Sequence, residues 1–283
     1  YTMKIAVASG KGGTGKTTIS TNLAVAIGRS GLKCQYLDCD AEEPNGHVFL
    51  KPEFTSTEDV TVPVPEVDEQ KCTGCGKCAE LCQYAAITCL KGKVLVFEKL
   101  CHSCGGCMAI CPEGAVTERP RKIGQAQFGT SGEISFGHGI LDIGAIQTPA
   151  LIRDVKRRTD KDAQVVLDVP PGTSCPVIEA VKDADFVLLV TEPTPFGLND
   201  LELAVGMVME LKLPFAVAVN RSDAGDDGVL KYCEKEGIEV LMQIPNDRRI
   251  AESYSSGEMI VDIFPEYQDK FLKLYEQIKS KVS

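Results

Sequence analysis

The sequence has no uninterrupted apolar run that approaches the length needed to cross a bilayer, about 20 residues. It also lacks the features of a secretion signal at its start, because Gly10, Lys11, Gly12 and Gly13 interrupt the first apolar stretch. Positive charge is in the minority, since 30 lysines and arginines stand against 40 aspartates and glutamates, for a formal charge of -10. We therefore expect a cytoplasmic protein with no stable membrane anchor and no nucleic-acid partner, whose macromolecular partner is another protein.

Cysteine, by contrast, is abundant. The 13 cysteines would predict disulfide bonds in a small secreted chain, but eight of them stand at the spacings of metal ligands in a chain without a secretion signal. Reduced thiolates that bind iron fit this pattern better, and they predict sensitivity to oxygen. The remaining composition, with 43% hydrophobic and 25% charged residues, is that of an ordinary globular protein.

The first part of the chain has the order strand, glycine-rich loop, helix, strand. Met3–Ser9 is an apolar run that predicts a buried strand, and Lys16–Arg29 has apolar residues at helical spacing. A second strand is predicted at Cys34–Leu37, just before a pair of aspartates. This order is typical of a right-handed βαβ unit in a parallel sheet.

Strands and helices alternate again in the second half of the chain, after a hairpin predicted from Lys122–Phe128 and Glu133–Phe136. The predicted strands are Val165–Leu167, Phe186–Val190, Phe215–Val219 and Glu239–Gln243. The predicted helices are Pro149–Arg158, Pro176–Val181, Leu198–Leu211, Val229–Lys235 and Tyr267–Lys279. The fold class is therefore α/β, with a mostly parallel sheet flanked by helices, and we expect the last helix to dock on the core through one apolar side.

A segment of different composition, Asp68–Arg119, separates these two parts. It is rich in cysteine and glycine, is flanked by prolines, and has the character of an inserted domain. The stretch that begins at Cys72 repeats at Cys101, about 29 residues later, which indicates an internal duplication. The predicted bounds are 1–65 and 120–283 for one discontinuous domain and 66–119 for the insert.

A phosphate-binding motif lies between the first predicted strand and helix. Residues 10–17, GKGGTGKT, satisfy G-x-x-x-x-G-K-[ST] in the strand-to-helix context that makes this motif specific. Its glycines allow backbone N–H groups to converge on phosphate oxygens at a helix N-terminus. We expect Lys16 to act as a catalytic cation that neutralises the β- and γ-phosphates, and the Thr17 hydroxyl to coordinate Mg²⁺. The predicted nucleotide contacts of this loop are Gly10, Gly12, Gly13, Thr14, Gly15, Lys16, Thr17 and Thr18.

The lysine that follows the first glycine makes the motif more specific. The run KGGTGKTT, residues 11–18, resembles the deviant P-loop of the MinD, ParA, Mrp and nitrogenase iron protein superfamily, and the resemblance spans nearly the whole chain outside the insert. It implies a slow, partner-stimulated ATPase that forms a homodimer on binding ATP. It also implies that Lys11 reaches across the dimer to the partner's nucleotide as a catalytic cation. On chemistry alone, Lys11 could also be a solvated loop lysine.

The same resemblance gives the acidic residues their roles. Leu37–Asn45 resembles the superfamily's switch I segment, which implies that Asp40 positions the attacking water and that Asp38 lies in the Mg²⁺ shell. The strand ending at Asp168 resembles the Walker B strand, with Asp168 near Mg²⁺ and the Gly172 N–H of switch II able to sense the γ-phosphate. For the acidic residues of the switch I segment, the alternative is that they simply end a strand.

Two later segments resemble the base-binding loops of this superfamily. Asn220 and Arg221 follow a predicted strand, as the adenine-contacting segment does, and Pro245 belongs to a run that resembles the second base-side loop. The resemblance therefore favours ATP over GTP. Asn220 could instead only cap the end of its strand.

The eight spaced cysteines form two runs of the bacterial two-cluster ferredoxin pattern, in which the fourth cysteine of each run ligates the other cluster. The expected ligands of cluster one are Cys72, Cys75, Cys78 and Cys111. Those of cluster two are Cys101, Cys104, Cys107 and Cys82. The resemblance implies an inserted α+β ferredoxin-like domain with two [4Fe–4S] clusters, and zinc is the alternative. Gln83 stands where the second run has Pro112, which affects local geometry rather than ligation.

Five cysteines lie outside these runs, and we expect most of them to be small buried residues. Cys175 differs, because it lies just after switch II, as a dimer-bridging cluster ligand does in the nitrogenase iron protein. No matching second cysteine occurs in Phe136–Pro149. A packed or nucleotide-responsive thiol is therefore the preferred interpretation of Cys175.

Together the two sets of motifs resemble MinD-superfamily ATPases that carry an inserted ferredoxin domain. They predict a homodimeric ATPase whose nucleotide state gates electron transfer through the clusters to or from a redox partner protein. One alternative is a carrier or scaffold of the Mrp type that hands clusters to apoproteins, against which the wholly internal ligation counts. Another is a spatial organiser that recruits partners on ATP-dependent dimerisation and uses the clusters as redox sensors.

Overall fold

A computed structural model describes residues 2–282 of the chain, so the outermost predicted bounds, 1 and 283, lie outside the described residues. The strands are β1 Lys4–Ala8, β2 Cys34–Asp38, β3 Glu53–Val67, β4 Ile87–Leu90, β5 Lys93–Val96, β6 Val116–Ser131, β7 Ile134–Leu141, β8 Gln164–Asp168, β9 Phe186–Thr191, β10 Phe215–Asn220 and β11 Val240–Ile244. The helices are α1 Lys16–Arg29, α2 Gly46–Leu50, α3 Lys77–Leu81, α4 Gly106–Ile110, α5 Thr148–Lys156, α6 Cys175–Val181, α7 Pro195–Glu210, α8 Gly228–Glu236, α9 Arg248–Ser256, α10 Ile260–Ile263 and α11 Glu266–Val282.

Nine of these strands form one sheet, in the order β11-β10-β9-β1-β8-β2-β7-β6-β3. The strands from β11 to β7 are parallel, and β6 and β3 add an antiparallel edge. Val7 and Asp38 both stand opposite Asp168 in the register of the sheet. Parallel strands end at the same edge, so the loops after β1, β2 and β8 meet there. The predicted α/β class with a mostly parallel sheet is confirmed.

The sheet is covered by apolar layers on both faces. Helices α1, α2, α10 and α11 pack on one face, and α5, α6, α7 and α8 pack on the other. The central strands are buried on both sides, which explains why they are continuous apolar runs rather than alternating ones. The second layer also includes Ala86 and Cys101 from the cysteine-rich segment. That segment therefore shares a core with the sheet.

The last helix, α11, docks on the core as predicted. Phe271, Leu274, Tyr275 and Ile278 are each at most 1% exposed against the first layer. None of the helices formed by residues 2–282 is both long enough and apolar enough to span a bilayer.

The longest departure from the predicted elements is β3, for which no strand was expected. Its Pro63 and Pro65, which the sequence indicates only as flanks of the inserted segment, cannot donate to a ladder. The structure tolerates them because β3 is the outer edge of the sheet, and because β6 pairs with β7 only from Gly124 onward. The first strand of the predicted hairpin, Lys122–Phe128, is accordingly only part of the longer strand β6.

Strands β3 and β6 form an arm that carries the cysteine-rich segment. The arm closes at the pair Val67 and Val116, and the Asp68 N–H then donates to the Ala115 carbonyl at 2.8 Å. Beyond it lie the β4–β5 hairpin and the short helices α3 and α4. Each helix follows a glycine in the left-handed backbone conformation, Gly76 or Gly105. These two glycines occupy corresponding positions in the two repeats. The duplicated sequence thus forms duplicated local structure.

The docking of α11 predicts a large effect of truncating its central side chain. Phe271→Ala should lower the free energy of unfolding by about 3–5 kcal/mol, because it leaves a cavity among fully buried neighbours. Phe196→Ala is the matched control, since Phe196 is 78% exposed. Thermal unfolding by circular dichroism would measure both variants. Equal melting temperatures for Phe271→Ala and Phe196→Ala would contradict the docking.

Candidate functional site

A cleft of about 340 Å³ lies at the carboxyl edge of the parallel strands. Its volume is in the range of small-molecule sites. The predicted residues that line it are Lys11, Gly12, Gly13, Gly15, Lys16, Thr17, Thr18, Asp40, Asn220, Arg221 and Pro245. The structure thus brings together the P-loop, one switch I aspartate and both predicted base-side loops, although they are far apart in sequence.

The P-loop has the conformation that its glycines permit. Gly13 and Gly15 have φ values of 80° and 91°, in the left-handed region that favours glycine. Gly15 is the N-cap of α1, no side chain caps this end, and the first turn carries no acidic residue. The open N–H groups of the first turn therefore face the cleft as an anion site.

Buried charges converge behind the loop. The Lys16 Nζ lies 2.5 Å from Asp168 Oδ1 and 3.8 Å from Asp40 Oδ2. Burial acts to lower the pKa of Lys16, but the carboxylates of Asp168, Asp38 and Asp40 outweigh it and hold that pKa above its usual value. The Tyr36 hydroxyl donates to Asp168 Oδ2 at 2.9 Å, a contact that the sequence did not reveal.

Burial also changes the two switch I aspartates. It raises the pKa of Asp38 to about 8, with the neighbouring Asp168 adding to the effect, and the pKa of Asp40 to about 6. Asp38 accepts from the backbone N–H groups of Gly46 and Asp40 at 2.8 and 3.0 Å. Three carboxyl groups therefore surround one ammonium group. Carboxylate oxygens are donors that Mg²⁺ prefers, but here they surround the Lys16 ammonium group and are not arranged around a metal ion.

The Lys11 side chain is paired within its own chain. Its Nζ lies 2.8 Å from Glu192 Oε1, and Arg221 lies 3.0 Å from the other oxygen of Glu192. Sequence reasoning missed Glu192, although it directly follows β9, whose carboxyl end lies at the same edge. In this structure the Lys11 ammonium group therefore has an ion-pair partner within its own chain, and its role toward a second subunit stays a prediction.

The Asn220 side chain, predicted to contact adenine, is hydrogen-bonded to the P-loop in this structure. Its Nδ2 donates to the Thr14 carbonyl at 2.9 Å, and its Oδ1 accepts from the Arg221 N–H. A Cβ on Gly15 would meet Asn220 Nδ2, so the two residues fit against each other closely. Helix α9 also lines the cleft, through Ile250, Ala251 and Tyr254. No helix was predicted at α9, because this segment is short and polar.

Two predicted glycine contacts have other partners in this structure. Gly10 does not line the cleft, and a Cβ there would clash with the Asp200 backbone of α7, so close packing requires the glycine. The Gly172 N–H donates to the Ser9 carbonyl at 2.9 Å. That bond must break before this N–H can meet a phosphate.

The eight spaced cysteines lie along two separate cavities in the cysteine-rich segment. One cavity is lined by Cys72, Cys75, Cys78 and Cys111. The other is lined by Cys82, Cys101, Cys104 and Cys107. The fourth cysteine of each run therefore lies with the first three of the other run.

Backbone N–H groups donate to a cysteine sulfur in each cavity. The Ser103 N–H donates to Cys101 Sγ at 3.4 Å, and the Ala115 N–H donates to Cys111 Sγ at 3.3 Å. Desolvation opposes ionisation of Cys111, but backbone N–H groups prevail and lower its pKa. Such N–H···S bonds are a usual second shell of iron–sulfur clusters.

The cavities differ from a site for one ion. Among residues 2–282, no group of three or more histidine, cysteine, aspartate or glutamate side chains is arranged to hold a single metal ion. Four sulfurs on one tetrahedral zinc would stand roughly 4 Å from each other, given bonds of about 2.3 Å. A cubane places each thiolate on a different iron atom, so its ligands are more widely spaced. Four cysteines line each cavity, which is the number of thiolate ligands that a [4Fe–4S] cluster takes.

The other cysteines divide by burial. Cys34, Cys39 and Cys233 are buried, and burial raises the pKa of each thiol. Cys89 is half-buried in the cysteine-rich segment, with its Sγ 3.4 Å from the Gly74 carbonyl. Cys175 is exposed at the start of α6, so a packed thiol is not what the structure has at that position.

Comparison with known proteins assigns the fold and the family. Residues 5–260 match the family model CbiA, described as the CobQ/CobB/MinD/ParA nucleotide binding domain. An uncharacterised protein of Methanocaldococcus jannaschii is 32% identical over 264 residues, which cover 90% of each chain. The iron–sulfur cluster carrier protein of Pyrococcus abyssi is 25% identical over 276 residues, which cover 91% of this chain and 79% of that one. Among solved structures, the septum site-determining protein MinD of Pyrococcus horikoshii, complexed with Mg-ADP, has a TM-score of 0.59 at 23% identity, covering 98% and 96% of the two chains.

The close fit of Gly15 against Asn220 generates a prediction for nucleotide binding. Gly15→Ala should weaken binding of ATP with magnesium roughly tenfold or more, because alanine is strained at φ 91° and its Cβ would displace Asn220. Gly206→Ala in α7 is the control, since no atom lies near a Cβ at that position. Isothermal titration calorimetry would measure both affinities. Unchanged affinity in a folded Gly15→Ala variant would show that the P-loop does not hold the nucleotide.

Proposed function

We propose that this chain, which belongs to the CobQ/CobB/MinD/ParA nucleotide-binding family, is an ATP-hydrolysing iron–sulfur protein in which nucleotide state gates electron transfer to or from a partner protein. The observation that carries the proposal is the division of eight cysteines between two cavities, four in each, in a chain that also has a P-loop cleft. The P-loop and the cysteines belong to one structure with a continuous core. Both sets of motifs are therefore expected to act together.

The ATPase part of the proposal rests on the buried charges. Lys16 would move from Asp168 to the β- and γ-phosphates, and Asp168, Asp38 and Thr17 would hold Mg²⁺. Asp40 lines the cleft and is the carboxylate available to position the attacking water. The apolar wall of α9 and the adjoining Asn220 loop suit an adenine base.

Dimerisation is proposed to involve Lys11. Its side chain is 30% exposed and its ammonium group is paired with Glu192, so a move to a partner's phosphate would give up one partly exposed ion pair. A second subunit that presented its nucleotide to Lys11 would then stabilise charge that develops on the phosphoryl group. A homodimer formed on ATP binding is the arrangement proposed.

The iron–sulfur part of the proposal rests on the thiolate sets. Cys72, Cys75, Cys78 and Cys111 would hold one [4Fe–4S] cluster, and Cys101, Cys104, Cys107 and Cys82 the other. The clusters would supply one-electron chemistry to the protein. Residues 66–119 would form the ferredoxin-like insert, which the closure of the arm at Val67 and Val116 supports.

In the proposed ligation, the fourth cysteine of each run binds the cluster held by the other run. This predicts which pairs of cysteine substitutions remove the same cluster. Purified anaerobically, the protein should contain about eight iron atoms per chain, and Cys82→Ala about four. Adding Cys104→Ala to Cys82→Ala should remove no further iron, because both line the same cavity. Adding Cys75→Ala instead should remove nearly all of it.

Cys89→Ala is the matched control within the same segment and should keep the full iron content. Iron analysis and electron paramagnetic resonance measure the outcome. If the Cys82 and Cys104 pair lost all iron while the Cys82 and Cys75 pair kept half, the ligation would be uncrossed and the assignment wrong. Zinc in place of iron would overturn the iron–sulfur assignment altogether.

Nucleotide gating predicts that the reduction potentials of the clusters depend on the nucleotide bound in the cleft. A potentiometric titration followed by electron paramagnetic resonance should give different reduction potentials without nucleotide, with ADP and with a non-hydrolysable ATP analogue. Gly15→Ala should abolish the difference, because it weakens nucleotide binding without touching the cysteines. Identical potentials in all three states of the wild-type protein would refute gating.

A second candidate function is delivery of clusters to other proteins. It is favoured by the relatives named iron–sulfur cluster carrier proteins, at about 25% identity. Against it stands the internal, complete set of ligands in each cavity, which favours resident clusters. Incubation with an apo-ferredoxin acceptor distinguishes the two, since a carrier passes on its iron in an ATP-dependent way and a resident cluster is retained.

A further inference from the structure

The ATPase core touches one of the two cysteine cavities through a buried hydrogen bond. Gln147 is the N-cap residue of α5, and its Nε2 donates to the backbone carbonyl of Cys101 at 2.6 Å. Gln147 is 7% exposed and Cys101 is 8% exposed, so water competes little for this bond. A hydrogen bond in such a low-dielectric place is strong and sets the position of the loop it holds.

The next residue connects the same helix end to the nucleotide cleft. The Thr148 Oγ1 donates to Glu42 Oε1 at 3.0 Å, and Glu42 lies two residues after Asp40 in switch I. A second, smaller cleft of about 170 Å³ lies between the switch segments and is lined by Asp40, Glu42, Thr148 and Pro171, among others. The start of α5 is thus bonded to switch I on one side and to the Cys101 loop on the other.

Packing makes this connection stiff. Leu151 and Ile152 of α5 are fully buried in the apolar layer that also contains Ala86 and Cys101. Close-packed interiors transmit displacements instead of absorbing them. A movement of switch I that pulls on Thr148 would therefore reach the Cys101 loop through α5 as well as through Gln147.

The other cavity lacks such a connection among the described residues. Its lining comes from residues 72–78, 94 and 111–116, all within the cysteine-rich segment or at the first position of β6. The Cys101 cavity, by contrast, also includes Pro63, Pro65 and Glu118 of the arm. The two cavities are therefore unequal in their contact with the ATPase.

We propose that Gln147 and Thr148 are positioning residues that transmit the state of switch I to the Cys101 loop, so that cluster two responds to nucleotide and cluster one does not. This rests on the proposed nucleotide gating and names the path for it. Hydrogen bonds to ligand loops alter the field at the sulfurs and the orientation of the thiolate, which are the terms that tune a cluster. Glu42 and Gln147 are the residues through which switch I would act.

The test compares two buried glutamines. Gln147→Met removes the donor to Cys101 at similar volume, and Gln147→Glu removes it while keeping the side-chain length. The control is Gln35→Met, because Gln35 is equally buried at 6% exposure and also donates to a backbone carbonyl, that of Arg158, at 2.9 Å. All variants are assayed for iron content and ATP affinity, which should equal those of the wild-type protein.

Two readouts then locate the response. In the wild-type protein, an ATP analogue should change the amide hydrogen-exchange rates of residues 101–107 roughly threefold or more. The rates of residues 72–78 should not change. At fixed potential, the analogue should shift the ratio of reduced to oxidised cluster by a similar factor. Both Gln147 variants should lose both effects, and Gln35→Met should keep them.

The outcomes separate this inference from the proposed function. A nucleotide response that persists in both Gln147 variants, or one that appears in residues 72–78, overturns the inference and leaves gating intact. Loss of the response in Gln35→Met as well also overturns it, because the effect would then be general. Absence of any redox response in the wild-type protein overturns gating itself, and with it the inference.

Discussion

The site depends on a buried arrangement of charge at the carboxyl edge of the sheet. Asp38 and Asp168 stand opposite each other on neighbouring parallel strands, and the ammonium group of Lys16 lies against Asp168. Two adjacent buried carboxyl groups repel each other and lose hydration, which is why the pKa of Asp38 rises to about 8. One lysine compensates only part of this charge. A divalent cation bound at these carboxyl groups would compensate more of it, which is the electrostatic reason for proposing Mg²⁺ at this edge.

The antiparallel edge explains how a cysteine-rich segment joins this core. A parallel sheet needs a long crossover between strands, whereas β3 and β6 pair side by side and leave the sheet together as an arm. The prolines of β3 are acceptable there because an edge strand has an unpaired side. The arm keeps Cys101 close enough to α5 to share its apolar layer. The cysteine-rich segment is therefore attached to the sheet by apolar packing as well as by the two strands of the arm.

Residues that act within one local stretch could be predicted from the sequence. The P-loop and its helix have the expected places, because glycine spacing and apolar periodicity are encoded within some twenty residues. The strand β3 and helix α9 could not be predicted: one contains prolines that only its edge position permits, and the other is short and polar. Roles assigned by resemblance stay predictions, and in this structure Asn220 donates to the Thr14 carbonyl and the Gly172 N–H donates to the Ser9 carbonyl.

The sequence alone determined which chemical groups this protein possesses: a loop able to bind phosphate, acidic residues at strand ends and eight thiolates at cluster spacing. Tertiary structure alone decided their partners. Glu192 meets Lys11, Gln147 meets Cys101, and Thr148 meets Glu42, although each pair is distant in sequence. The physical reason is that strand order and helix packing, rather than local spacing, determine which loops become neighbours. No periodicity in the chain records that order, so contacts between the two sites emerge only in the folded protein.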